Sequence, residues 1–414
     1  VADYLSSKQL LGLSYKIIFI DFFVSKSYKN SDSMLTNLQE IAPANKTQSI
    51  ETINGKVTVK WPEILSLGAL QAAVAISWIA YQEYQPILVA KFQIAHLSHL
   101  LVVTKALVLV LIPVLAGWIA DKILVSRGKY FIVYTVGISA TAMIFMVVAS
   151  LISISPEHPV ASALPIMLVL WLIGMSVFLS PALSMLESFA SNRNLPIAVG
   201  VIILITDIIY ALEPLVVRLV QFFGETLTFV VGAVLVFGTG LLFKKVASDE
   251  VTERQVKVQK IEKNDGKQFP VAPILFVGVL VGIGRAFLVE FIPFNSPLTM
   301  VSGEQFSFFL LGISALTSFG FSHYLSRNKV KSVLPVCLSG MLLGVGALVF
   351  TASNPFLFTL VGIVLALSFG VAHMSSFTFA FGKLTVRHIT LGIGLFLGAS
   401  ALAEGLLELI YAFQ

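Results

Sequence analysis

A chain of 414 residues, 57% hydrophobic and only 12% charged, with a mean hydropathy of +0.91, is excluded from the soluble globular class, where about 25% of residues are charged. Its net charge of +5 does not mark a nucleic-acid partner. Of 27 Lys and Arg residues, seven fall in residues 1–60 and sixteen in alternate loops between apolar runs, so the basic residues record membrane topology rather than a basic face.

Residues 1–33 contain an apolar stretch at 10–24, interrupted by Lys16 and Asp21. It is too short to span a bilayer and lacks the cleavage pattern of a signal peptide. The first Met is Met34. The natural protein is expected to begin there, with 1–33 non-native, and a polar N-terminal tail runs to residue 60. Eleven apolar runs follow, each long enough for a hydrocarbon core of about 30 Å: 62–91, 95–120, 129–152, 161–186, 195–222, 226–243, 271–294, 306–324, 330–351, 355–381 and 388–413. A stretch with five acidic and seven basic residues, 244–270, separates six runs from five. The predicted organisation is therefore a tail (1–60), a first bundle (61–245), a charged linker (246–270) and a second bundle (271–414). The lone Cys337 lies in an apolar run, which leaves no disulfide framework and no thiolate metal site. Connections after the even-numbered spans carry the basic residues, whereas those after odd-numbered spans carry only Lys91. The N-terminus is expected in the cytoplasm of a bacterium, with the spans in its inner membrane.

The most informative connection is 117–129, Gly-Trp-Ile-Ala-Asp-Lys-Ile-Leu-Val-Ser-Arg-Gly-Lys. So charged a hairpin must emerge into water. Gly117 permits close helix approach, and Asp121 is placed to hold a neighbouring helix N-terminus or a basic partner. The pattern Gly117, Asp121, Lys122, Gly128, Lys129 resembles the loop between helices 2 and 3 of the major facilitator superfamily. The gap between Asp121 and Gly128 resembles the sugar:cation symporter and sucrose-transporter branch, as does Tyr81-Gln-Glu-Tyr84-Gln-Pro86. The resemblance implies an all-α polytopic membrane protein of two six-helix bundles. The bundles would be parallel repeats, echoed in Glu83 to Pro86 against Glu290 to Pro293. It also implies that the twelfth span is missing and the chain truncated, and that Gly117, Asp121, Lys122, Arg127, Gly128 and Lys129 form a cytoplasmic gate. Span 2 carries Lys105 and no acid, so the branch's sodium site is not expected.

Charges within spans cost roughly 2.5–3.5 kcal/mol each at a helix centre and demand partners or an aqueous cavity. They are Glu83, Lys105, Asp207, Glu213, Arg218, Arg285, Glu290, His373, Glu404 and Glu408. None lies on spans 3, 6 or 9, the set the resemblance turns towards lipid. Candidate substrate contacts are Trp78, Tyr81, Glu83, Arg285, Glu290 and His373. Glu83 and Lys105 lie at similar depth; they face each other either as a gated pair or as a fixed bridge. Arg285 offers a planar fork to a substrate or bridges to Glu83 or Asp207. Arg285 and Glu290, five apart, are placed on different faces. Asp207 and Glu404, near mid-span, are the proton-coupling candidates. Glu404 and Glu408 share a face, with Glu408 expected in solvent near the surface.

No nucleophile–base constellation, phosphate loop or metal-ligand spacing appears, so neither catalysis nor a cofactor is expected. The reading is a secondary transporter, acting as a monomer in the lipid bilayer on a small-molecule substrate, with protons as the coupling ion and no nucleic acid partner. Its rivals are a multidrug-type proton antiporter and a non-transporting sensor or scaffold on the same fold.

Overall fold

The structure is a computed structural model that describes residues 59–412, apart from 128–130, 251, 253–269, 328–329 and 386. The expected tail up to residue 58, most of the charged linker, and Gly128 and Lys129 of the hairpin lie outside the described residues. Among the described residues, ten helices are long and apolar enough to cross a membrane, and a shorter apolar one, Leu195–Ala211, joins them. Only helices let an isolated apolar run satisfy its own backbone in lipid. Hydroxyls inside the spans follow the same rule: Ser77 donates to Ala73 O, Thr141 to Gly137 O and Ser375 to Val371 O, at 2.7–2.8 Å.

The helices are α1 (Trp61–Lys91), α2 (Ser98–Arg127), α3 (Phe131–Ile152) and α4 (Pro159–Phe189, in short segments). Then come α5 (Leu195–Ala211), α6 (Glu213–Val246), α7 (Val271–Asn295), α8 (Gly303–Arg327), α9 (Val330–Thr351), α10 (Pro355–Lys383) and α11 (Ile389–Ala412). Two proline positions shape them. Pro214 cannot donate to Tyr210 O, and the chain breaks just before it, at Leu212. Pro293 cannot donate to Val289 O, and α7 loosens into a π turn over Phe287–Phe291.

Within α6, Gly224 has φ 73° and ψ 170°, a backbone region open in practice only to glycine. Thr228 Oγ1 donates to Val220 O at 3.0 Å. Eight residues along a straight helix are about 12 Å apart, so the chain folds back at Gly224. The fifth span therefore continues past the Leu212 break to Gly224, and the sixth begins after it, as the sequence runs 195–222 and 226–243 suggest.

α1 packs on α5 and α6, α3 on α4 and α6, and α2 on α4. In the second half, α7 packs on α10 and α11, α9 on α10, and α8 on α10. The first half has an aromatic core around Trp171, which stacks on Tyr81 (centroids 4.6 Å, 13°) and meets Trp78 and Phe145 edge-on at 5.5 and 5.2 Å. The largest seams between the halves are α2 against α11 and α5 against α8. The α2–α11 seam is backbone-close: a Cβ on Gly117 would lie 2.5 Å from Thr390 O and 2.9 Å from Leu391 Cα. Small residues allow such approach where lipid offers no hydrophobic drive between helices.

Candidate functional site

Near mid-membrane, Arg285 of α7 joins both halves. Its Nε donates to Glu404 Oε2 on α11 at 3.1 Å, and Nη1 lies 3.8 Å from Asp207 Oδ1 on α5. The guanidinium also sits over the Tyr210 ring, 4.9 Å from its centroid. Asp207 and Tyr210, three apart, share one face of α5. Asp207 is 1% exposed, and its second oxygen has no hydrogen-bond partner among the described residues. Arg285 lies 14 residues into α7 and Asp207 12 into α5, about 21 and 18 Å along the axes from the ends bearing the basic connections.

A second cross-half pair lies nearer the opposite end, where Lys105 Nζ of α2 meets Glu408 Oε1 of α11 at 2.7 Å. Glu290, on the π turn, lies in the field of Glu404, Glu408, Lys105 and Arg285. The π turn corrects the placement of Arg285 and Glu290 on different faces: one extra residue per turn swings both towards the same charges. Four carboxylates thus surround two bases in a file running from α2 to α5.

Two further expectations are corrected. Glu83 and Lys105 do not face each other: Glu83 accepts from Gln221 Nε2 at 2.9 Å, within the first half, and Lys105 takes Glu408. Glu408 is accordingly an ion-pair partner rather than a solvated surface acid. Trp78 and Tyr81 are packed on Trp171. The Tyr81 hydroxyl is buried without a hydrogen-bond partner among the described residues and lies in the field of Glu408. His373 lies tilted against the Phe369 ring (centroids 5.4 Å) in the field of Arg285, and its Nδ1 is buried without a hydrogen-bond partner among the described residues.

At the basic end, Asp121 Oδ2 accepts from the Leu391 N–H at 2.8 Å and Oδ1 from the Thr390 N–H at 3.4 Å. A carboxylate from one half thus caps the first turn of a helix from the other. Ser184 and Thr390 hydroxyls meet at 3.3 Å in the same place, and Ser180 donates to Pro113 O at 2.9 Å. His388, in the connection before α11, is held below the usual imidazole range by burial and by Arg387. Lys122 lies over the Trp118 ring at 4.9 Å, and Arg127 is exposed. At the opposite end, beyond the Lys105–Glu408 pair, three contacts lie within one half: Tyr84 to Val220 O at 2.9 Å, Lys91 to Glu225 at 2.5 Å, and Asn295 to the Tyr411 hydroxyl at 2.8 Å.

Residues 65–406 match the sequence model of the Major Facilitator Superfamily. The chain belongs to the major facilitator superfamily.

Solved structures of superfamily members share the fold. The human organic anion transporter MFSD10 (TETRAN) aligns with a TM-score of 0.65 at 10% identity, over 86% of this chain and 93% of that one. A bacterial homologue of the iron transporter ferroportin, in an outward-facing state with soaked iron, gives 0.59 at 12% identity, over 86% and 91%. The proton:xylose symporter XylE, bound to 6-bromo-6-deoxy-D-glucose, gives 0.55 at 12%, over 86% and 88%. No curated protein sequence matches the chain. At such identities the neighbours establish the fold of this superfamily member and leave its residues to be read from their own geometry. Three site features escaped the sequence reading: the Lys105–Glu408 pair, the Tyr210 ring under Arg285, and Ser184 with Thr390 beside the Asp121 cap. Tyr210 had a signal, its spacing of three from Asp207.

Proposed function

We propose that the chain is a secondary active transporter that moves a small organic solute across a bacterial inner membrane by alternating access, coupled to protons, with its N-terminus in the cytoplasm. The observation that carries this reading is the Arg285 bridge. One guanidinium holds an acid of its own half, Glu404, and an acid of the other half, Asp207. A proton on Asp207, or a substrate group presented to Arg285, removes the charge of the cross-half tie and leaves the Glu404 tie intact. Loss of that tie lowers the cost of rocking one half against the other. The unpartnered oxygen of Asp207 is where the proton would enter.

With the basic end in the cytoplasm, the Asp121 cap and the Gly117 contact tie the halves together on that side, and the Lys105–Glu408 pair ties them nearer the opposite end. The gate proposed here is Asp121 on the α11 N-terminus over the Gly117 contact, with Lys122 and Arg127 flanking it. The substrate wall is Arg285, Glu290, His373 and Glu83, with Trp78 and Tyr81 as its aromatic backing.

The test is uptake and counterflow of solutes by proteoliposomes, guided by a thermal-shift screen, in which a ligand at 100 times its dissociation constant adds about 2.7 kcal/mol. Asp121→Asn should lower transport several-fold at unchanged expression; wild-type kinetics in that variant would remove the gate. Flux indifferent to an imposed pH gradient would remove the coupling.

A further inference from the structure

The bridge at Arg285 leaves most of its own bonding capacity unused. A guanidinium carries five N–H donors. Among the described residues one of them is hydrogen-bonded, the Nε–H, which goes to Glu404 Oε2 at 3.1 Å. Asp207 Oδ1, 3.8 Å from Nη1, is a charge neighbour beyond hydrogen-bond range. The Tyr210 ring takes the flat face of the guanidinium and leaves its edge alone. Four N–H groups on Nη1 and Nη2 therefore stay open, and Glu404 keeps Oε1 without a hydrogen bond among the described residues. Space lies in front of both groups. The Arg285 and Glu404 side chains are 18% and 29% exposed, and neither Nη nor Oε1 is a sealed atom, whereas Asp207 Oδ2 behind them is.

The backbone builds this pair. A Cβ on Gly282 of α7 would run into Ser400 O of α11, and one on Gly278 would lie 2.9 Å from Phe396 O, so the two helices touch along glycine. Arg285 lies three residues beyond Gly282 and Glu404 four beyond Ser400. Each side chain thus stands one turn past the same contact, side by side. The result is a fixed dipole: a cationic edge and an anionic oxygen, both open, with charges that cancel.

Such a pair selects by charge. An anion placed on the guanidinium edge would meet Glu404 unpaired, and a cation placed on Glu404 would meet Arg285. Either leaves an uncompensated charge away from bulk water. A neutral polyol avoids that cost but forgoes hydrogen bonds in which both partners are charged, the stronger kind. A ligand with both poles answers both groups and adds no net charge.

We propose that this pair binds a zwitterion whose carboxylate and ammonium sit on one carbon, as in an α-amino acid. The carboxylate lies on the Nη edge of Arg285 and the ammonium on Glu404 Oε1. This rests on the transporter reading and names its substrate class. The proton which that reading puts on Asp207 removes the nearest charge opposing the ligand carboxylate.

The experiment is equilibrium binding of radiolabelled alanine, leucine and phenylalanine, each separately, to the full chain in phosphatidylcholine nanodiscs at pH 5. The competitors are the amide of each, which keeps only the ammonium, its N-acetyl derivative, which keeps only the carboxylate, and sorbitol. At least one amino acid should bind saturably, with its amide and N-acetyl forms competing at least tenfold less well and sorbitol not at all. No saturable binding by any of the three, a one-pole derivative competing within tenfold, or displacement by sorbitol overturns the assignment. Glu404→Gln leaves Arg285 paired with Asp207 and should weaken the amino acid at least tenfold while narrowing its advantage over the N-acetyl form. An undiminished advantage in that variant overturns the role of Glu404. Zwitterion binding without flux in the uptake tests would overturn the transport reading alone. Uptake of another solute without zwitterion binding would overturn this assignment alone.

Discussion

Arg285 decides most of the chemistry at the scale of single residues. Its partner Asp207 is 1% exposed, so removing the guanidinium strands a carboxylate in low dielectric, at a cost of about 3–5 kcal/mol. Arg285→Gln is therefore expected to lower thermal stability strongly, and Asp207→Asn on top of it to recover part of the loss. A double-mutant cycle by thermal unfolding in detergent checks this, and additive losses would mean the two side chains are not coupled. The charge inventory of this site was readable in the sequence, because charges within apolar runs stand out. The pairing was not. Lys105 sits at the same depth as Glu83, but Glu408, 303 positions away, is its partner, and nothing local encodes which helix lies opposite. The mutual placement of Arg285 and Glu290 was hidden for another reason: a π turn changes the helical period that any face assignment assumes.

At the scale of helices, the breaks matter more than the regular turns. Hydropathy places the turn between the fifth and sixth spans near Gly224 without revealing its geometry. With φ at 73° and no atom within 4 Å of a would-be Cβ, a substitution there meets backbone strain alone. Gly224→Ala should cost about 1–3 kcal/mol, seen as a lower unfolding midpoint at unchanged helix content; an unchanged midpoint would mean the fold-back is not held. The reverse holds at Gly117, where the backbone is ordinary helix and the Thr390 carbonyl blocks a Cβ. Gly117→Leu should therefore hold the basic end open, raising the reactivity of a cysteine introduced at Leu391 towards a water-soluble maleimide several-fold. Equal labelling in the parent would contradict the close seam. Gly117 and Asp121 were legible as a hairpin motif, while the Thr390 and Leu391 amides they meet were not, since an N-terminal turn carries no distinctive side chain.

For the whole molecule, the central claim is that loss of the Arg285–Asp207 tie lets the halves exchange closure from one end to the other. Span order and loop charge made the two-half architecture plain in the sequence, because burial in lipid and the basic loops constrain the chain independently. The tie between the halves at the basic end is visible only in three-dimensional contacts, Asp121 to Leu391 above all. The most direct measurement is electron–electron spin distance on a Cys337→Ser background. One label pair is Glu157→Cys with Met300→Cys at the opposite end; the other is Arg193→Cys with Lys383→Cys at the basic end. Between pH 8 and pH 5 the two distances should change in opposite senses, and Asp207→Asn should show the acid pattern already at pH 8. Distances that stay fixed with pH and in Asp207→Asn, or that rise and fall together, would contradict the account.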